Sequence, residues 1–360
     1  MNLRSPLPTR FATPILLVAG ITIVAALAST GSVSLQQTIM EMFINVVLVV
    51  GLYTFSGNSG VLSFGHTSFM AIGAYVTAAL TMPPLLKQQP PLGLPGFLVD
   101  AHLSLLPAAL IAGVAAGLIG AIVAVPLMRL TGLAAGIGTF ALFLICQDVI
   151  KNASTLTAGE ESLVGIPISD TVWSTWGWAV AVVLVAFAYQ TSRAGLRLRA
   201  SRDNEAAAAA AGVDIRRERR IALALSAVIA GVGGALYSNL LGVLSVTDFS
   251  FAASFLIIAM LVVGGMTSLS GAVVGVGVVT LVVQGLRTVE AGTSVAGLEI
   301  PARPGMTEVG LALLLLLVLA LRPRGIVGGL ELRWPRTFRR GRTPAALATN
   351  PPLEITDDVA

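Results

Sequence analysis

The sequence predicts an all-α fold, a polytopic transmembrane helical bundle of about ten spans with broken or re-entrant segments. Three observations carry that expectation. The chain of 360 residues is 55% hydrophobic and only 11% charged, with a mean hydropathy of +0.88, whereas soluble domains are about one-quarter charged. Apolar runs of near-spanning length recur along the whole chain. The arginines are confined to a few polar stretches between those runs and to the two ends of the chain. A single cysteine, Cys146, excludes an internal disulfide, and the two histidines, His66 and His102, leave little for a metal site. The net charge of +4 therefore reads as membrane topology and contact with anionic membrane lipid, not as nucleic-acid binding.

Taken in order, residues 1–37 form an N-terminal arm and a first span. Arg4 and Arg10 precede an apolar run over 11–28 that reads as a spanning helix or a signal peptide, since Ala26-Leu27-Ala28 resembles a cleavage site. The polytopic chain that follows favours a retained helix. Residues 38–325 form the transmembrane domain. Its first run, 38–55, carries the polar Asn45 and gives way to Ser56-Gly57-Asn58-Ser59-Gly60, which interrupts the helix before a second run over 61–81. Backbone freed at membrane depth must be buried in protein or face a wet cavity, and broken glycine-rich segments mark substrate paths in many transporters. Asn58, Gly60, Ser63, Gly65, His66, Gly73 and Tyr75 are accordingly the candidate path residues here. For any one glycine, close helix packing is the competing role.

The proline-rich stretch 82–102, with Lys87 as its one lysine or arginine, reads as an external loop. Spans follow over 103–125 and 132–150, joined by a short turn containing Arg129. The segment 152–169 is too polar to cross and returns outside. Trp173, Trp176 and Trp178 open the next span, 173–189, as interfacial anchors. Further apolar runs at 221–244, 251–266, 271–286 and 307–321 complete the bundle. Several fall short of the roughly 20 residues a straight crossing needs, so the 251–286 region includes candidate re-entrant pieces. Gly264-Gly265-Met266-Thr267-Ser268-Leu269-Ser270-Gly271 echoes the first interruption, suggests an internal repeat, and adds Gly264 and Gly265 to the candidate path. Residues 326–360 form a basic cytoplasmic tail with Arg333, Arg336, Arg339, Arg340 and Arg342, partly disordered beyond Pro344.

The most informative polar stretch is 191–220. Arg193, Arg197, Arg199, Arg202, Arg216, Arg217, Arg219 and Arg220 outnumber its acids, which places it in the cytoplasm by the positive-inside bias. Within it lies a short helix signal: Asp203 or Ser201 as N-cap, Glu205 in the first turn, the alanines 206–211, and Gly212 as the stop. A helix of about two turns is unstable alone in water and needs something to dock on. A new helix begins near Asp214.

The block Arg199-Ala200-Ser201-Arg202-Asp203-Asn204-Glu205-Ala206-Ala207, closed by Gly212, resembles the ATPase-contacting loop of ABC importer permeases for branched-chain amino acids. Gly60-Val61-Leu62-Ser63-Phe64-Gly65-His66 and Gly73-Ala74-Tyr75 are similar to the LivM-type member of that permease pair, and the likeness extends over about 38–325. The resemblance implies a bacterial inner-membrane protein with both termini cytoplasmic, and Arg199, Arg202, Asn204, Glu205, Ala206, Ala207 and Gly212 as coupling residues. It also implies a second homologous permease subunit, two ABC ATPase subunits and a soluble substrate-binding protein that meets the external face. ATP and Mg would be used by those ATPases, with no cofactor bound by this chain. The sequence agrees, because its lysines, Lys87 and Lys151, lie outside any phosphate-cradling glycine-rich motif. Gly159-Glu160-Glu161-Ser162 and Ala134-Ala135-Gly136-Ile137-Gly138-Thr139 depart from the family pattern, leaving the cargo open between branched-chain amino acids and urea, short amides or other small polar solutes.

Two other classes compete. An ion-coupled secondary transporter would expose ionisable groups inside the bundle, where His66 is the main candidate; Glu41 and Asp148 fall near span ends. An intramembrane enzyme would need a nucleophile constellation, and Ser63 beside His66 has no evident acid partner in sequence.

Overall fold

The computed structural model describes residues 12–90, 92–290, 305–328 and Glu331, with the backbone of 294–295 and 298–299. The N-terminal arginines Arg4 and Arg10, the tail arginines and the expected disorder beyond Pro344 lie outside the described residues. Each apolar run forms a helix: α1 (Ala12–Ser29), α2 (Val33–Leu52), α3 (His66–Thr81), α4 (Leu105–Leu127), α5 (Gly132–Asn152) and α6 (Val172–Thr191). The arginine-rich stretch contributes α7 (Arg193–Asp203) and α8 (Glu205–Ala210), and the chain continues through α9 (Ile215–Leu241), α10 (Phe251–Gly264), α11 (Leu269–Glu290) and α12 (Met306–Leu321). Among the described residues, 8 helices are long and apolar enough to cross a membrane. The other two apolar helices, α3 and α12, have 16 residues each.

Helix α9 is the centre of the bundle, packing most extensively against α4 and α3 and then against α2. It can sit there because small residues let backbones touch, which is how helices associate where no hydrophobic gradient drives them together. A Cβ added to Gly73 of α3 would lie 2.1 Å from the carbonyl oxygen of Gly231, and one added to Gly234 would lie 1.9 Å from that of Met70. On the α4 side, Gly113 and Gly117 receive Val232 and Val228 of α9. By contrast α5 is mostly exposed, with Leu133, Ile137, Leu144, Ile145 and Val149 on its open face.

Side-chain caps fix where helices start. Ser32, Thr171, Ser192 and Asp214 each accept a backbone N–H from the first turn of α2, α6, α7 and α9 respectively. The start of α9 at Asp214 is the one read from the sequence. At the end of the bundle away from the arginines, β1 (Leu163–Val164) pairs antiparallel with β2 (Val243–Leu244), Leu163 opposite Leu244, so the loop after α5 is fastened to the end of α9. A second small pair joins β3 (Ser294–Val295) to β4 (Leu298–Glu299).

Three sequence expectations need correction. The interruption does not begin at Ser56: α2 runs on through a π-helical turn, Tyr53–Gly57, and stays helical to Ser59, so the break spans Gly60–Gly65. Gly60 has φ +75°, a left-handed conformation that suits glycine. The expected short helix is present as α8, but the arginine-rich residues before it, read without a helix of their own, form the helix α7. The N-cap of α8 is Asn204, whose side chain accepts from Ala207 N at 2.9 Å, in place of Asp203 or Ser201. Asp203 is the last residue of α7, and Ser201 is buried, donating to the Leu198 carbonyl.

Candidate functional site

The arginine-rich end is built from two consecutive helices, α7 and α8, joined at Asn204. α8 is capped at its start by Asn204 and stopped by Gly212, which has φ +80° and open space around its Cα. Ala206, Ala207, Ala209 and Ala210 are exposed with Glu205, while Ala208 is buried and turns the helix onto the bundle. The Arg219 guanidinium of α9 donates to the Glu205 carboxylate. That arginine side chain is only 4% exposed, so the ion pair pins α8 to a rigid element. A second pair, Arg197 with Glu218 at 3.4 Å, ties α7 to the same helix.

Two arginines of α7 turn inward. Arg199 donates through Nη2 to the carbonyl of Gln190 at 2.6 Å, and Arg202 donates through Nη1 to the carbonyl of Gly57 at 2.7 Å. Gln190 in turn accepts from the Tyr53 hydroxyl at 2.6 Å. The Arg202 stem lies over Gly60, its Cγ 2.7 Å from where a Cβ would stand. Thus the arginine-rich helices meet the first break directly.

Behind it, the π-helical turn that precedes the first break abuts the second interruption. A Cβ on Gly57 would lie 2.6 Å from the Met266 carbonyl, in the turn between α10 and α11. Gly265 at that turn has φ +122°, and Gly264 is pressed against Gly271 and Gly275. The chain after α12 also reaches this point. Ile326 and Val327 donate to the carbonyls of Val263 and Gly264 at 2.9 and 3.1 Å. Glu331 then accepts from the Leu269 and Ser270 amides and from the Ser270 hydroxyl at 3.0, 3.3 and 2.8 Å. A carboxylate at a helix N-terminus satisfies orphan donors and complements the dipole.

Deeper in the bundle, His66 is buried at the start of α3, with Nδ1 2.9 Å from the Ser63 hydroxyl and Nε2 against the Ser226 hydroxyl of α9. Both ring nitrogens are therefore committed to neutral hydroxyls, and the ring packs against Phe55 and Phe69. Asn58 donates to the carbonyls of Tyr53 and Thr54 within α2, while its Oδ1 has no partner among the described residues. Gly65 lies 2.8 Å, measured from an added Cβ, from the Thr139 carbonyl of α5. Gly73 is a packing point of α3 on α9. Tyr75 sets its ring against Phe249 in a tilted pair, centroids 5.9 Å apart, and lines an apolar cavity of about 360 Å³ between α3, α4 and α5, together with Ser68, Leu142 and Cys146. The candidate path residues therefore do not converge on one cavity. His66 and Ser63 share one polar cluster, Gly60, Gly264 and Gly265 flank the two turns, and Tyr75 alone among them lines the apolar cavity.

Some contributors carried no signal in the sequence. Ser226 and Gln190 sit in apolar helices, and their partners lie 160 and 137 residues away along the chain. Lys87 reads as a loop charge, yet its ammonium is buried and donates to the carbonyls of Leu98 and Ala101, clamping the 82–102 loop. Burial pulls its pKa down, partly opposed by Asp100. Asp170, just before α6, is largely buried with no partner for either oxygen among the described residues, and burial pushes its carboxyl up to about 7. Its chain neighbour Ser169 lines a cavity of about 430 Å³ together with His102, Trp178 and Asn239. Among the described residues, no three His, Cys, Asp or Glu side chains gather in a metal-ligating group.

Comparison with known proteins adds the family. Residues 34–321 match the family described as branched-chain amino acid transport system / permease component, while neither the curated proteins nor the solved structures gave a match. Family match, apolar spans and interrupted helices agree: the chain is an integral membrane transport protein and belongs to the permease-component family of branched-chain amino acid transport systems.

Proposed function

We propose that the chain is the LivM-type permease subunit of an ATP-driven ABC importer, paired in the bacterial inner membrane with a second, related permease. Two ATPase subunits dock on the arginine-rich end and use ATP and Mg there. A soluble substrate-binding protein delivers cargo at the opposite end, where β1 and β2 tie two loops together. The cargo is a branched-chain amino acid or a related small polar solute. The positive-inside bias puts α7 and α8 in the cytoplasm, and both chain termini follow.

The observation that carries this reading is α8. It is short, capped at each end, exposed along its alanines, and clamped to α9 through Arg219 and Glu205. A helix so held transmits a push from whatever rests on its alanine face, and helix displacement is a known switching device. Among the coupling residues, Asn204 and Gly212 set the helix ends, Ala206 and Ala207 present its surface, and Glu205 fixes its angle. Arg199 and Arg202 connect it inward. The path is assigned to the region of the two breaks, with Asn58, Gly60, Ser63, Gly65, His66, Gly264 and Gly265 expected to border it when the bundle opens, since in this conformation Asn58, Ser63 and His66 are buried. Bonding of both His66 nitrogens to hydroxyls disfavours a proton relay and hence the ion-coupled alternative.

Leucine uptake into vesicles holding the assembled transporter tests the proposal. Glu205→Lys places a cation against the buried Arg219, and deletion of residues 207–209 removes the docking surface. Each is expected to abolish ATP-driven uptake while the chain still inserts. Normal uptake in both would refute the coupling role, and uptake driven by an ion gradient without ATP would replace the reading with the secondary-transporter class.

A further inference from the structure

Arg202 is placed where a surface contact residue would not be. Its side chain is only 23% exposed, and its guanidinium is oriented from two edges. The Asp203 carboxylate accepts from Nε and Nη2 at 3.3 Å, and the Gly57 carbonyl accepts from Nη1 at 2.7 Å. Gly57 is the last residue of the π-helical turn, where a helix ending leaves carbonyls without intrahelical donors. A charged donor at such a site makes a strong bond. The guanidinium stem also occupies the space over Gly60, which has φ +75° and no room for a Cβ. Gly57 in turn rests on the Met266 carbonyl of the second turn. Along the chain, Arg202 is two residues from the N-cap of α8.

From this geometry we propose that Arg202 is a positioning residue for transport: it is the rigid connector through which displacement of α8 moves the end of α2 and, through Gly57 against Met266, the α10–α11 turn. The inference rests on the importer reading above but is separate from any contact with the ATPase. Arg199 does not substitute, because it holds the Gln190 carbonyl on α6. A helix cap alone would also place a donor on Gly57. The two roles differ in what they predict, since a cap affects only stability whereas a connector sets how much solute moves per nucleotide hydrolysed.

The test uses the complete transporter in proteoliposomes, with radiolabelled leucine and its binding protein, reading leucine moved per ATP hydrolysed together with the unfolding midpoint. Arg202→Ala is expected to lower that ratio at least fivefold, and Arg202→Lys, which keeps a charged donor on a long stem, to recover most of it. Gly60→Ala, which pushes the stem aside, should reproduce the loss, and the double variant should be no worse than either single one. If Arg202→Ala fails to assemble, Gly60→Ala and Arg202→Gln carry the same comparison. A ratio within twofold of wild type in the variants that assemble, or a fall in midpoint with the ratio unchanged, overturns the connector role and leaves the importer reading intact. Wild-type uptake that ignores ATP overturns both.

Discussion

Gly73 separates two accounts of the same residue. The sequence places it on the substrate path, whereas the structure presses it against the backbone of α9. In Gly73→Ala the new methyl would lie 2.1 Å from the Gly231 carbonyl oxygen and 2.5 Å from the Gly231 Cα. Ordinary contact begins at 3.4 Å, so α3 and α9 must part by about 1.3 Å, and no rotamer change relieves a clash with backbone. Overpacking of this kind costs about 3 kcal/mol, while alanine returns about 1 kcal/mol of helix propensity, for a net loss of about 2 kcal/mol. Gly277→Ala in α11 is the control: nothing stands within 4 Å of its added Cβ, so only the propensity gain remains, about 1 kcal/mol. Reversible unfolding in mixed detergent and SDS micelles, followed by tryptophan fluorescence, measures both. The two variants should differ by about 3 kcal/mol. Agreement to within about 0.5 kcal/mol would refute the close-contact argument and return Gly73 to the path.

Three further outcomes are expected. Because burial raises the Asp170 carboxyl from 3.8 to about 7, the folded chain keeps a proton there that the unfolded chain releases. Stability should therefore fall as pH rises through that window, with the burial cost fully present above it. Asp170→Asn should flatten the slope and raise stability at pH 8, and an unaltered pH profile would count against it. Ser226→Ala leaves the His66 Nε2 without its hydroxyl partner and should cost about 1–3 kcal/mol in the same unfolding assay; a wild-type value would mean the imidazole is satisfied otherwise. Gly265→Ala forces a Cβ onto a residue at φ +122° and should cost about 1–3 kcal/mol, a claim that an unchanged midpoint would remove.

Helix content was legible because apolar runs of this length have few other uses, and each run became a helix close to its expected limits. Gly212 and Asp214 were legible for a local reason, since a left-handed stop and an acidic N-cap act within one turn of themselves. Asn204 was misjudged because Ser201, Asp203 and Asn204 all have capping side chains, and only the end of α7 decides which one is free to serve. The π turn escaped notice because its hydrogen bonds skip one residue further along the chain, a pattern no residue type signals. The inward partner of Arg202 was not legible because Gly57 lies 145 residues away along the chain. The helix contact of Gly73 was not legible because glycine serves both wet paths and tight helix contacts, and sequence alone does not tell which neighbour arrives.

The wide turn at Tyr53–Gly57 makes chain length itself a determinant of this protein. A π-helical turn holds one residue more than an α turn without adding rotation, whereas an α-helix advances about 100° per residue. Ordinary α winding over Tyr53–Gly57 at unchanged length would therefore swing everything after the turn round by about that angle, and the Gly57 oxygen would face away from Arg202. Deleting one residue inside the turn would straighten the helix and keep its downstream facing, while a one-residue insertion that the helix absorbs as α winding, leaving hydropathy almost untouched, would re-aim the interruption.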